Sequence, residues 1–144
     1  MIATATQYCT FKVDDKLFGI EVVCVQEVLK AQELTRVPLA PPSVAGLMNL
    51  RGQIVLVLDL RVQLGLPPRP AGAPSANVVL RTDEGPISLL VDHIDGVVEP
   101  DPECFERTPE TTDPHLNSFL LSVGKLDGQL LHVLDPKQAI EIQP

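Results

Sequence analysis

The chain has no tryptophan and a single tyrosine, Tyr8, so it lacks the aromatic platforms on which single-stranded nucleic acids stack. Basic residues are scarce as well. Lys plus Arg number 11 against 19 Asp plus Glu, a net charge of −8. That balance argues against nucleic acid and against anionic lipid, both of which select clustered Lys and Arg. No run of about 18 apolar residues is present to span a bilayer, and the N-terminus lacks a basic region followed by an apolar one. A cytoplasmic chain with no membrane insertion is therefore expected. Cys9, Cys24 and Cys104 show no CxxC spacing and read as packing or surface residues in a reducing compartment.

Catalytic signatures are missing too. Neither GxSxG nor HExxH occurs, no glycine-rich phosphate loop is present, and no two histidines have metal-ligand spacing. Neither an enzyme nor a cofactor is expected. The one alternative is a small enzyme or ligand-binding β protein built on Asp92, His93 and Asp95, a conceivable carboxylate–histidine cluster. Asp92 and Asp95 also read as turn residues whose side chains bond the backbone. His132 interrupts a core-like strand, and His115 follows a proline in a polar stretch.

What the chain does have is turns: 14 prolines and 9 glycines separate short apolar segments. Its 144 residues suffice for one domain or for two small lobes sharing a core. Residues 1–6 read as a loose arm. Cys9, Phe11 and Val13 alternate with polar neighbours, Asp14-Asp15 turns, and Phe18, Ile20 and Val22 alternate again, predicting a half-buried hairpin. Val22, Val25, Val28 and Leu29 change to spacings of three and four, predicting a helical turn or two with Glu27 on the polar face. Ser43 can cap a short helix to Met48, and Asp59 another to Leu64. Residues 65–76, rich in proline, read as a connector between lobes. Strands follow at Val78–Leu80 and Ile87–Val91, then a turn from Asp92 to Gly96 and a long loop from Pro100 to Asp113. A hairpin over Phe119–Leu126 and Gln129–Leu134 precedes a last short helix opened by Pro136.

The organising run is Gly46 to Leu60. Ile54 to Leu58 are five apolar residues in succession, the pattern of a strand buried on both faces. Gly52 to Asp59 recurs without a gap at Gly128 to Asp135, with five of eight positions identical. Two similar β lobes, each a small barrel of short strands, follow from that repeat. The turns differ: Arg51 stands where the second copy has Asp127. An arginine at a hairpin tip beside a seam between lobes can hydrogen-bond a carboxylate or several carbonyls, or can simply remain solvated.

Val25-Gln26-Glu27-Val28, the run from Gly46 through Asn49-Leu50-Arg51-Gly52 to Asp59-Leu60, and Val91-Asp92 with Val97-Val98 resemble the CheW-like family of chemotaxis adaptors, in the family's order, from about Tyr8 to Ile142. The resemblance implies an all-β fold of two interlocked, five-stranded SH3-like barrel lobes with a few short helices. It implies a non-catalytic adaptor coupling the cytoplasmic tips of chemoreceptors to the regulatory domain of a histidine kinase, with other adaptor copies as further partners. By motif position Val25, Glu27, Gly46, Asn49, Arg51 and Gly52 are similar to the family's receptor-side residues; kinase-side residues are not assigned. Ser122 stands where the family often has glycine. The same resemblance admits a related chemosensory pathway, in surface motility or second-messenger control.

Overall fold

The N-terminal alternation becomes a hairpin of β1 (Tyr8–Val13) and β2 (Lys16–Glu21). Asp14 and Asp15 close it at φ 52° and 63°, the paired positive values that match a two-residue turn to strand twist. The computed structural model describes residues 6–106 and 113–142. A 3-10 turn at Val22–Cys24 carries the chain out of this sheet into β3 (Val25–Lys30). The helical spacing read there extends no further than that turn. From Val25 onward the backbone pairs with β6 (Ala76–Leu80), and a ladder between β-branched residues outweighs weak helical periodicity.

The second expected helix, Ser43–Met48, is also a strand. β4 (Val44–Leu50) forms a hairpin with β5 (Gln53–Asp59). The register shifts between Val44 and Gly46, and this bulge at Ala45 resets the alternation. Val44, Leu47 and Met48 thereby acquire a false three-and-four spacing. β5 is less buried than its five apolar residues imply. Val55, Val57 and Leu58 are fully enclosed, Leu56 is half-buried, and Ile54 is 62% exposed near the turn.

The chain continues through α1 (Leu60–Gln63), β6, β7 (Ile87–Val91) and β8 (His93–Val98). The Asp92–Gly96 segment read as a turn is thus largely strand. Of the 100–113 loop, Pro102–Cys104 is a 3-10 turn and Phe105–Glu106 forms β9; residues 107–112 lie outside the described residues. α2 (Pro114–Asn117), β10 (Leu120–Leu126), β11 (Gln129–Leu134) and α3 (Pro136–Ala139) complete the order. As predicted, Asp59 caps α1, accepting from the Arg61 amide at 3.0 Å, and Pro136 opens α3, where Asp135 adds the equivalent cap on the Lys137 amide at 3.0 Å.

One sheet has the order β3-β6-β7-β5-β4, the other β8-β1-β2-β11-β10-β9. Apart from two-residue β9, both read alike from edge to edge: a lone strand, a hairpin, a parallel join and a second hairpin. The parallel joins are β5 with β7 and β11 with β2. The second lobe is therefore a circular permutation of the first, built from both ends of the chain. That is how the lobes interlock. It also relocates the 65–76 segment, which joins α1 to β6 within one sheet. Crossings between sheets occur at Val22–Cys24 and at Asp92.

A central apolar cluster takes Phe11, Phe18 and Ile20 from one sheet and Val78, Leu80 and Leu89 from the other, with Leu58 and Leu134 at equivalent repeat positions. Smaller clusters sit inside each lobe, around Val55 and Val57 in one and Leu131 and Val133 in the other. The largest of the three cores is the shared one, so neither lobe of about 70 residues encloses enough apolar surface by itself.

Candidate interaction site at the Arg51 turn

At the tip of β4–β5, Arg51 adopts φ 51° and Gly52 φ 85°. Glycine accepts a positive φ without cost, whereas an arginine Cβ is strained there. Two local features enforce it. The two-residue loop is set by the Leu50–Gln53 pairing, and the Asn49 Oδ1 accepts the Gly52 amide at 2.8 Å. Asn49 and Gly52 thus shape the turn on which Arg51 is displayed. The side chain of Arg51 is 67% exposed.

Arg51 Nη2 donates to Glu27 Oε2, forming an ion pair. Glu27 lies on β3 rather than on a helix. Because β3 and β4 are opposite edges of their sheet, a contact between them means that the sheet has curled into a barrel. Leu29 and Leu34 pack against the lobe cluster that contains Met48, Leu50, Val55, Val57 and Val79. The Arg51 guanidinium holds the Glu27 carboxyl below its ordinary value. The pair therefore stays ionised at neutral pH, and the Arg51 donors project from a fixed surface.

The remaining residues expected at the receptor side lie apart from this pair. Val25 packs on the central core, and its carbonyl accepts from Arg81 Nη1 at 2.6 Å. Gly46 sits at the far end of β4. A Cβ there would come within 2.8 Å of the Thr35 carbonyl, which itself accepts the Leu47 amide at 2.8 Å. Gly46 permits this close backbone approach. Ser122, in place of a glycine, occupies the matching bulge of β10 opposite Val133 and is half-buried.

The Asp92–His93–Asp95 alternative is not assembled. His93 and Asp95 are exposed on one face of β8, whereas Asp92 turns inward. Arg61 grips both Asp92 oxygens, Nε on Oδ1 at 3.0 Å and Nη2 on Oδ2 at 2.7 Å. Arg69 adds Nη2 on Oδ1 at 3.0 Å, and the Asp14 amide donates to Oδ2 at 2.8 Å. Burial raises the Asp92 carboxyl, but the Arg61, Asp14 and Arg69 donors overcome it and bring it down to about 2. Asp92 is thus a structural counter-ion at a crossing between sheets. No group of three or more metal-ligating side chains occurs among the described residues. Nor is any helix there long and apolar enough to cross a membrane.

Arg61, Arg69 and Gln63 carried no sequence expectation, and His115 was placed only in a polar stretch. Gln63 is fully buried and donates from Nε2 to the Ala139 and Glu141 carbonyls, both at 2.8 Å, tying α1 to the end of α3. His115 Nε2 reaches the Gln63 carbonyl at 3.0 Å and so carries the proton of that bond. A charged residue inside Leu60-Arg61-Val62 was the only available signal, since its partner lies 31 residues away.

Two interlocked β lobes carrying a strained, ion-paired hairpin tip define a β-barrel interaction module. The CheW-like domain model matches residues 7–143, and the chain belongs to that family. It is 26% identical over 140 residues to the chemotaxis protein CheW of Bacillus subtilis, covering 97% of this chain and 90% of that protein. With the CheW of Treponema pallidum it shares 27% over 135 residues, covering 90% and 78% respectively. The crystal structure of the scaffolding protein TtCheW from Thermoanaerobacter tengcongensis superposes with a TM-score of 0.84 at 25% identity, over 96% of this chain and 94% of that one.

Proposed function

We propose that this chain is a non-catalytic adaptor of bacterial chemotaxis-type signalling, acting in the cytoplasm to couple chemoreceptor tips to a histidine kinase. The observation that carries the reading is the Arg51 turn. A cation is held in a strained conformation by Asn49 and Gly52, paired with Glu27 and left mostly exposed. The turn holds this cation away from the core, where a partner can reach it. The guanidinium keeps donors free for a carboxylate or for helix-end carbonyls on a receptor tip. Glu27 orients it, while Val25 and Gly46 act indirectly by seating β3 and β4.

The test is kinase stimulation in reconstituted receptor arrays, with binding to an isolated receptor-tip fragment measured alongside. Arg51→Glu is expected to abolish coupling and leave the melting temperature essentially unchanged. Glu27→Arg combined with Arg51→Glu restores an ion pair of reversed sense and is expected not to recover the coupling, because the partner needs the cation at the tip. Full coupling by Arg51→Glu would overturn the assignment, as would loss of coupling explained by unfolding.

A further inference from the structure

The circular permutation gives the molecule two equivalent corners, each where the short helix after a repeat strand faces a crossing between sheets. At the α1 corner the crossing residue is Asp92 and the neighbouring turn is Asp14-Asp15. The chain's own proline-rich segment fills it. The Pro67 and Pro68 carbonyls accept from Arg61 Nη1 at 2.9 and 3.4 Å, and Arg69 returns onto Asp92 and to 3.7 Å from Asp59. Arg61 and Arg69 are left only 10% and 12% exposed.

At the α3 corner the same elements meet but none of the described residues covers them. A groove of about 280 Å³ remains between α3, the crossing at Cys24 and the β6–β7 turn. Lys137 and Asp135 hold the repeat positions of Arg61 and Asp59. Leu80 and Ile140 form an apolar floor, and Asp83 stands on the rim. Arg81 is committed, donating to the Val23 and Val25 carbonyls. The groove reproduces part of the filled corner: Lys137 as a cation for backbone carbonyls, Asp83 and the Asp135 oxygen not used in capping as acceptors for an arginine, and Ile140 as apolar surface for proline rings, while Cys24 stands at the crossing where the filled corner has Asp92.

We propose that the α3 corner docks an extended, proline-containing segment of a partner protein that carries one arginine, held as Pro67-Pro68-Arg69 is held at the α1 corner. Such a segment is pre-extended and loses little entropy on binding. Its positive charge suits a chain of net charge −8. This site is separate from Arg51, so the two stand or fall independently.

The probe is a synthetic peptide with the sequence of residues 66–75, titrated into the intact chain and followed by amide NMR shifts. Saturable shifts are expected at Cys24, Thr82 and Lys137, with those of Arg51 and Gly52 unmoved. Replacing the peptide arginine by alanine, or Asp83→Arg in the exposed turn of the protein, should each weaken binding about tenfold. The proposal is overturned by an absence of shifts, by equal binding of the alanine peptide, or by shifts centred elsewhere. Concentration-dependent shifts at these amides without peptide would place a second copy of the chain there instead, and would also overturn it.

Discussion

The β4–β5 and β10–β11 hairpins carry nearly the same strand and end in different turns. Both begin their second strand after a positive-φ glycine, Gly52 or Gly128, and both end it at a capping aspartate. Both bulge at the matching place, between Val44 and Gly46 in one and Leu120 and Ser122 in the other. Inward positions are conserved between the copies because each strand must feed its lobe's core and the shared core together. Tips face solvent and are free to diverge. Asp127 does not share the positive φ of Arg51 and, among the described residues, makes no contact equivalent to that with Glu27. What repeats is what the fold needs; what differs is the turn and the Arg51–Glu27 pair it carries.

Breaking the shared part should cost most. Val57→Asp and Val133→Asp each bury a carboxylate in a fully enclosed strand position. Each is expected to remove about 4 kcal/mol or more, and both should abolish a cooperative thermal transition followed by circular dichroism. If one variant folds normally, the two strands are not equivalent. Next are the corners. Asp92→Asn strands the buried Arg61 and should cost about 3–5 kcal/mol by chemical denaturation, whereas Lys137→Ala at the open corner should cost little. The Asp92 carboxyl has a lower value folded, about 2, than its ordinary 3.8. Its contribution is thus complete above about pH 4 and is lost as pH falls towards 2. The Asn variant should flatten that part of an acid titration of stability.

A smaller effect sharpens the comparison inside the strands. His132 stands where the first copy has Leu56, with Nδ1 bonded to the Leu17 carbonyl at 2.9 Å and its ring 5.3 Å from Phe18. His132→Leu makes the copies alike but removes that bond, and a loss of about 1 kcal/mol is expected in urea unfolding. An increase in stability would mean that apolar burial outweighs the bond. The smallest stability change belongs to the tip. Asp127→Arg should transfer no receptor binding to the second hairpin, since neither the strained turn nor a carboxylate corresponding to Glu27 accompanies it. Binding gained there would show that charge alone, without presentation, is enough.

Much of this was legible along the chain. The Gly52–Asp59 repeat announced two lobes, Asp59 announced a cap, Pro136 announced the last helix, and Asp14-Asp15 announced a hairpin. Arg51 stood out because a cation interrupts an otherwise apolar block. Errors arose where a local pattern had two readings. Ser43, which can cap a helix, instead precedes a bulged strand, and the three-and-four spacing after Val22 continued past the single 3-10 turn that it describes.

By itself the sequence determined which strands are alike, where they turn and which charge lies at the tip. All of these follow from short-range chemistry: alternation, backbone freedom and capping. Only the tertiary structure decided that the second lobe closes from both chain ends, that Glu27 lies against Arg51 across a curled sheet, and that Asp92 neutralises Arg61 and Arg69. Those contacts join residues 23 to 31 positions apart or more, and Phe18 to His132 over more than a hundred. Their geometry is set by sheet closure and shared burial, which act between segments and leave no periodic mark within one.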